Sequence, residues 1–213
     1  MKLVRPTVTA AALACLVGGL TAHAAVVKPV CNLVTDPKGD SEGLVNSGTP
    51  GLDVISADIA SNARSVTAVI RLAGPAIAAG NPDAPEGAAY YFSFSVPSAT
   101  YPLYLSAQSD VTGTYAYSIG DIEKSPTGGS LYQNKAGDVT GKMSGSTITL
   151  TVDRGTLSSL GTVKPGTKLT GLVAEVFYPV EVPQVGGLLE QADSAEGTKP
   201  YIAGTPSCVK PGA

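Results

Sequence analysis

From Asp53 onward the apolar residues fall into short runs that alternate with polar ones, with Gly, Pro, Ser and Asn between runs and no sustained helical period. A period of two sends successive side chains to opposite faces, so such runs fold as half-buried antiparallel strands. The candidates are Val54 to Ala60, Ser65 to Leu72, Tyr90 to Val96, Tyr101 to Ala107, Thr114 to Ile119, Asp138 to Met143, Ser146 to Val152 and Lys168 to Phe177. In the clearest of them Ile148, Leu150 and Val152 face a core while Thr147, Thr149 and Thr151 face water. Ser144-Gly145 supplies a tight turn to the preceding run, so residues 138–152 read as a β-hairpin. Thr156 to Leu160 reads as a short helix, and Tyr201-Ile202 as a final edge strand. Ala73 to Gly87, rich in Gly, Pro and Ala, and the polar stretch Ile122 to Gly137 with Gly128-Gly129, read as long surface loops. No internal repeat is visible. Eight or nine short strands of this kind make the expected fold all-β, an antiparallel two-sheet sandwich of jelly-roll type.

The first residues carry a different signal. Lys2 and Arg5 precede an apolar stretch from Val8 to Leu20, which ends at Ala22-His23-Ala24. That is a charged start, an apolar middle and an A-x-A cleavage site, so residues 1–24 are expected to be a signal peptide and residues 25–213 a single exported domain. The apolar stretch is shorter than the roughly 20 residues that span a bilayer as a helix. Lipidation would have to use Cys15, inside the apolar run rather than after it.

Cleavage changes what chemistry is available. The leader holds two of the 14 basic residues and none of the 17 acidic ones, leaving a net charge of −5 and no basic patch to engage nucleic acid or an anionic membrane. His23 is the only histidine in the chain, so Ser-His-Asp and Cys-His catalysis, histidine-ligated zinc and histidine-ligated haem are excluded in the exported form. Cys15 leaves as well. The remaining pair, Cys31 and Cys208, reads as a disulfide that clips the two ends together.

Cys31-Asn32-Leu33-Val34 leads into Asp36-Pro37-Lys38-Gly39-Asp40, followed by Leu52-Asp53-Val54 and Ser56-Ala57-Asp58-Ile59; near the end Ala192-Asp193-Ser194-Ala195 precedes Tyr201-Ile202-Ala203-Gly204. Together these segments resemble secreted bacterial β-sandwich domains that stand alone or follow extracellular peptidases, and more loosely the DOMON-like and family 9 carbohydrate-binding modules. The resemblance implies a ligand-binding or accessory module without chemistry of its own. DOMON domains that hold haem use methionine and histidine, and Met143 has no histidine to pair with.

Two groups of residues are candidate sites. Asp36, Asp40, Asp53 and Asp58, with Glu42 nearby, place hard oxygen ligands around a Gly-containing turn, the chemistry that Ca²⁺ requires. Asp36-Pro37-Lys38-Gly39 also satisfies a type I turn without any metal, with Asp first, Pro second and Gly fourth. Among the nine tyrosines, Tyr90 shares a core face with Phe92 and Phe94, and Tyr115 shares another with Tyr117 and Ile119. Tyr91, alternating with Ser93 and Ser95, and Tyr104 beside Ser106 are left as candidates for an exposed, sugar-stacking surface. The expected partner is therefore a polysaccharide or a secreted protein. Two carboxylates across a cleft would suit glycoside hydrolysis, but no acid pair here sits in a catalytic motif, and the expectation is a non-catalytic domain.

Overall fold

The structure, a computed structural model, describes residues 28–124, 130–182 and 186–209. The expected signal peptide and Gly128-Gly129 lie outside the described residues. The chain runs through β1 (Val34–Thr35), β2 (Val54–Ser61), β3 (Ser65–Leu72), β4 (Ala89–Ser95), β5 (Leu103–Ser109), β6 (Tyr115–Lys124), β7 (Ser130–Asp138), β8 (Thr140–Ser144) and β9 (Thr147–Asp153). A single helical turn, α1 (Arg154–Leu157), is followed by β10 (Lys168–Val182), β11 (Gly186–Glu196) and β12 (Tyr201–Ile202). The strands form two antiparallel sheets, a smaller one in the order β1-β2-β3-β9-β8 and a larger one in the order β11-β10-β4-β5-β6-β7, with β12 beside β10. The chain is thus an all-β, two-sheet sandwich. Among the described residues no helix is long and apolar enough to cross a membrane.

The inner faces supply the core, as alternation requires. Ala68 and Ile70 of β3 and Ile148, Leu150 and Val152 of β9 meet Tyr90, Phe92 and Phe94 of β4, Leu103 and Leu105 of β5, and Leu172, Ala174 and Val176 of β10. A buried phenol needs a partner for its hydroxyl. Tyr90 Oη donates to the carbonyl of Gly51 at 2.9 Å and accepts the Ile77 N–H at 2.7 Å, which ties the segment between β3 and β4 to the core. That segment, expected as a free surface loop, is further fastened by Asp83, which accepts the backbone N–H of Asn46 at 2.9 Å. Where β6 and β8 approach, the Tyr117 ring lies on Gly141, and a Cβ there would fall 1.9 Å from a ring carbon.

Three strands were not expected: β1, β7 in the stretch read as a polar loop, and β11 in the Gly- and acid-rich stretch after Phe177. All three are edge strands. The helical turn starts at Arg154 rather than Thr156, and the β8–β9 turn is Gly145-Ser146 rather than Ser144-Gly145, since Ser144 pairs with Thr147. Gly145 has φ +59° in the first central place, the position that a type II′ turn reserves for glycine.

At the ends, Cys31 and Cys208 form the expected disulfide across a separation of 177 residues. Two backbone bonds flank it: Val30 N–H to the Pro206 carbonyl at 3.0 Å and Cys208 N–H to the Val30 carbonyl at 3.1 Å. Asn32 beside it takes φ +50°, a left-handed conformation that asparagine tolerates better than most side chains.

Candidate functional site

The acidic residues of the N-terminal segment gather where one edge of the smaller sheet meets one edge of the larger. After β1 the chain turns at Lys38-Gly39, with Gly39 at φ +97°. The glycine therefore holds a central left-handed place, not the fourth place of a type I turn beginning at Asp36. In that conformation the Gly39 N–H donates to Asp53 Oδ2 at 2.6 Å, fixing the carboxylate just ahead of β2 against the turn that carries Asp36 and Asp40.

The fourth member comes from the far end of the chain. Asp193 sits in β11 opposite Val176, at a bulge in the β10–β11 pairing. A bulge re-aims the side chains around it, and both Ala192 and Asp193 are buried here. Asp193 Oδ2 accepts the Val54 N–H at 2.6 Å, a bond from the larger sheet to the first residue of β2 in the smaller one, and Oδ1 accepts the Ser194 N–H at 2.8 Å. Carboxylate oxygens of Asp36, Asp40 and Asp193 lie within 4.8 Å of one another.

Crowding of like charges in a partly dry place shows in the proton affinities. Burial, then the neighbouring carboxylates of Asp193 and Asp40, push the Asp36 carboxyl up to about 6. Asp53 and Asp193 are raised as well, chiefly by burial, with part of the rise offset by the Gly39 amide in one case and by the Val54 and Ser194 amides in the other. Asp36 Oδ2 and Asp53 Oδ1 are both buried and have no hydrogen-bond partner.

Of the four acids expected together, Asp36 and Asp40 share the cluster, Asp53 stands beside it on the Gly39 amide, and Asp58 is elsewhere. Asp58, fully buried in β2, accepts the Leu33 N–H on Oδ1 at 3.0 Å and the Arg71 guanidinium on Oδ2 at 2.8 Å, so both of its oxygens are used inside the smaller sheet. Glu42 is exposed and lies outside the cluster. Asp193 was not among the expected ligands. More than 150 positions separate it from the turn, and no spacing rule joins them.

The tyrosines expected at an exposed surface are covered. Tyr91 and Tyr104 do lie on the face opposite the core, as alternation requires, but they are 2% and 1% exposed. They form a second apolar cluster with Ala89, Ile122 and the partly buried Phe177. Tyr91 meets Tyr104 and Phe177 edge-on with ring centroids 5.5 and 5.6 Å away, and its hydroxyl accepts from Gln108 Nε2 at 2.8 Å. Gly120 makes room for Tyr104, since a Cβ there would lie 2.6 Å from the Tyr104 hydroxyl.

Beside this cluster the outer face of the larger sheet opens into a cleft of about 580 Å³. Ser93 and Ser95 of β4, Glu175 of β10 and Glu196 of β11 line it, together with Tyr101 and Glu123. Tyr101, expected inside a strand, precedes β5 and is 40% exposed. The signal for this cleft was present only as polar residues alternating with core residues on three strands whose order in the sheet the sequence does not reveal.

Compared with known proteins, the chain matches no family model, no curated protein and no solved structure.

Proposed function

We propose that the chain is an exported, non-catalytic binding module that takes a saccharide segment in the cleft on the outer face of the larger sheet. The observation that carries this reading is the composition of the cleft: an exposed tyrosine, serine hydroxyls and three glutamates around about 580 Å³. Sugars stack on an aromatic face and direct hydroxyls to carboxylate and hydroxyl oxygens, and cavities of this size suit small ligands. The lining carboxylates favour neutral or amino sugars over acidic ones. The same reading accords with the resemblance to DOMON-like and family 9 carbohydrate-binding modules. It moves the stacking residue from Tyr91 and Tyr104 to Tyr101.

The test is retention of the exported protein on insoluble polysaccharides and retardation in gels containing soluble ones, with Tyr101→Ala and Glu175→Gln beside the wild type. Retention that Tyr101→Ala abolishes supports the proposal. Binding of a basic peptide or of a secreted peptidase with no polysaccharide retention would replace it with a protein-interaction role. Turnover of a glycoside that Glu123→Gln or Glu175→Gln abolishes would replace it with a hydrolase.

A further inference from the structure

We propose that Asp36, Asp40 and Asp193, with the Asp53 carboxylate beside them, form a Ca²⁺ site that fastens the β1–β2 edge of the smaller sheet to β11 of the larger one. The proposal is independent of the cleft and stands on three observations. First, oxygens of Asp36, Asp40 and Asp193 fall within 4.8 Å of one another. Ligands of one Ca²⁺, each about 2.3–2.6 Å from the ion, can lie no farther apart than about 5 Å.

Second, Asp53 is 1% exposed and its Oδ1 has no partner, although its other oxygen is held by the amide of Gly39, between Asp36 and Asp40. The Asp53 carboxylate is close enough for its charge to act on Asp36 and on Asp193, so this unpartnered oxygen stands beside the cluster. Asp36 Oδ2 is orphaned in the same way. Leaving buried carboxylate oxygens without donors is costly, and a cation satisfies several at once.

Third, no ion pair neutralises the cluster among the described residues. The ion pairs among the described residues are Arg71 with Asp58 and Lys135 with Asp138, and neither touches the cluster. Lys38, on the same turn, acts on Asp53 only through space.

The ligand set selects the ion. Beyond residue 24 the chain has no histidine, and its two cysteines are joined, so nitrogen and thiolate ligands are absent and the site offers oxygen alone. Carboxylates from a turn and a bulged strand, with that of Asp53 beside them, form an irregular set, which Ca²⁺ accepts and Mg²⁺, with its need for a near-regular octahedron and its retained waters, does not. Asp40 is exposed and provides the entry side.

The experiment is equilibrium dialysis of the exported protein against Ca²⁺, with metal measured by elemental analysis, and thermal unfolding in Ca²⁺, in Mg²⁺ and in chelator. One Ca²⁺ per chain, a higher midpoint in Ca²⁺ and a loss of affinity of at least tenfold in Asp40→Asn are expected. Because Asp40 is exposed and its charge repels the neighbouring carboxylates, that variant unfolds in chelator at a midpoint no lower than that of the wild type. Asp193→Asn is the second variant, expected to lose Ca²⁺ binding and also part of its stability in chelator through the bond to Val54. Absence of bound Ca²⁺ at millimolar concentration, equal protection by Mg²⁺, or unaltered Ca²⁺ affinity in Asp40→Asn would each overturn the proposal.

Discussion

At the scale of single residues, the two aspartates of β2 and its approach divide the work. Asp53 and Asp58 are both buried and both are candidates for a cation in the sequence, but Arg71 pairs with Asp58, whereas among the described residues Asp53 makes no ion pair. Asp58→Ala removes the partner of a part-buried guanidinium and leaves the Leu33 N–H without its acceptor. Breaking such a pair typically costs about 3–5 kcal/mol, and since Arg71 is 31% exposed the low end applies, near 3 kcal/mol. Urea unfolding should show that loss while the difference between Ca²⁺ and chelator stays as in the wild type. A Ca²⁺ response that vanishes in Asp58→Ala would place Asp58 in the cation site after all. Tyr91 teaches a related lesson. Alternation assigned it correctly to the face opposite Tyr90, but exposure depends on what stands beside that face, here Phe177 and Ile122 from other strands. That packing is not written in the local pattern.

At the scale of strands and turns, what was legible follows from burial. Strands with a full core face, β3 and β9 above all, announce themselves by alternation, and their limits fall within a residue of those expected. β1, β7 and β11 lie at sheet edges, where backbone pairing on one side holds a strand and a polar side-chain pattern is tolerated or even required. Ser130–Asp138 and Gly186–Glu196 therefore read as loop composition although each continues a hairpin with its neighbour. For the same reason Asp193, on one of those edges, was out of reach as a ligand.

Two predictions belong to this scale. Gly141→Ala would drive a methyl group into the Tyr117 ring, where β6 of one sheet packs on β8 of the other. Overpacking of this kind costs about 1–3 kcal/mol, so the unfolding midpoint should fall, and Gly141→Ala combined with Tyr117→Leu should regain part of the loss. The second concerns the buried phenols. Burial raises the phenols of Tyr90, Tyr91 and Tyr104 above the ordinary value near 10, and that of Tyr115 is pushed up to about 12. A raised value in the folded state means that the neutral phenol is preferred there. Stability from this source is thus complete below pH 10 and is lost as pH rises through 10 toward the folded values. Tyrosinate absorbance should show these four ionising together with the loss of circular dichroism. Their ionisation near pH 10 with the fold intact would contradict the burial of these phenols on β4, β5 and β6.

At the scale of the whole molecule, the segment from Val30 to Asp53 is held at two places by the C-terminal part of the chain. β1 is only two residues long, paired to Ser56 and Ala57, too little to keep an edge in place by itself. Before it stands the disulfide to Cys208; after it stands the acidic cluster with Asp193. By the chain-entropy argument, closing a loop of 177 residues is worth about 5 kcal/mol to global stability. Reduction should therefore lower the unfolding free energy by up to that amount, whether or not cation is present. Local order is another matter, because either attachment suffices to keep β1 against β2. Hydrogen exchange at the amides of Leu33 and Asp36, which donate to Asp58 and to the Ile55 carbonyl, reports on it directly. Exchange should stay slow in oxidised protein with chelator and in reduced protein with Ca²⁺, and become fast only when reductant and chelator act together. If chelator alone released these amides, the disulfide would not hold β1, and the cation would be its sole fastening; if reductant alone released them, the cluster would contribute nothing to this edge, and the two sheets would be joined there by the Asp193–Val54 bond and the apolar core.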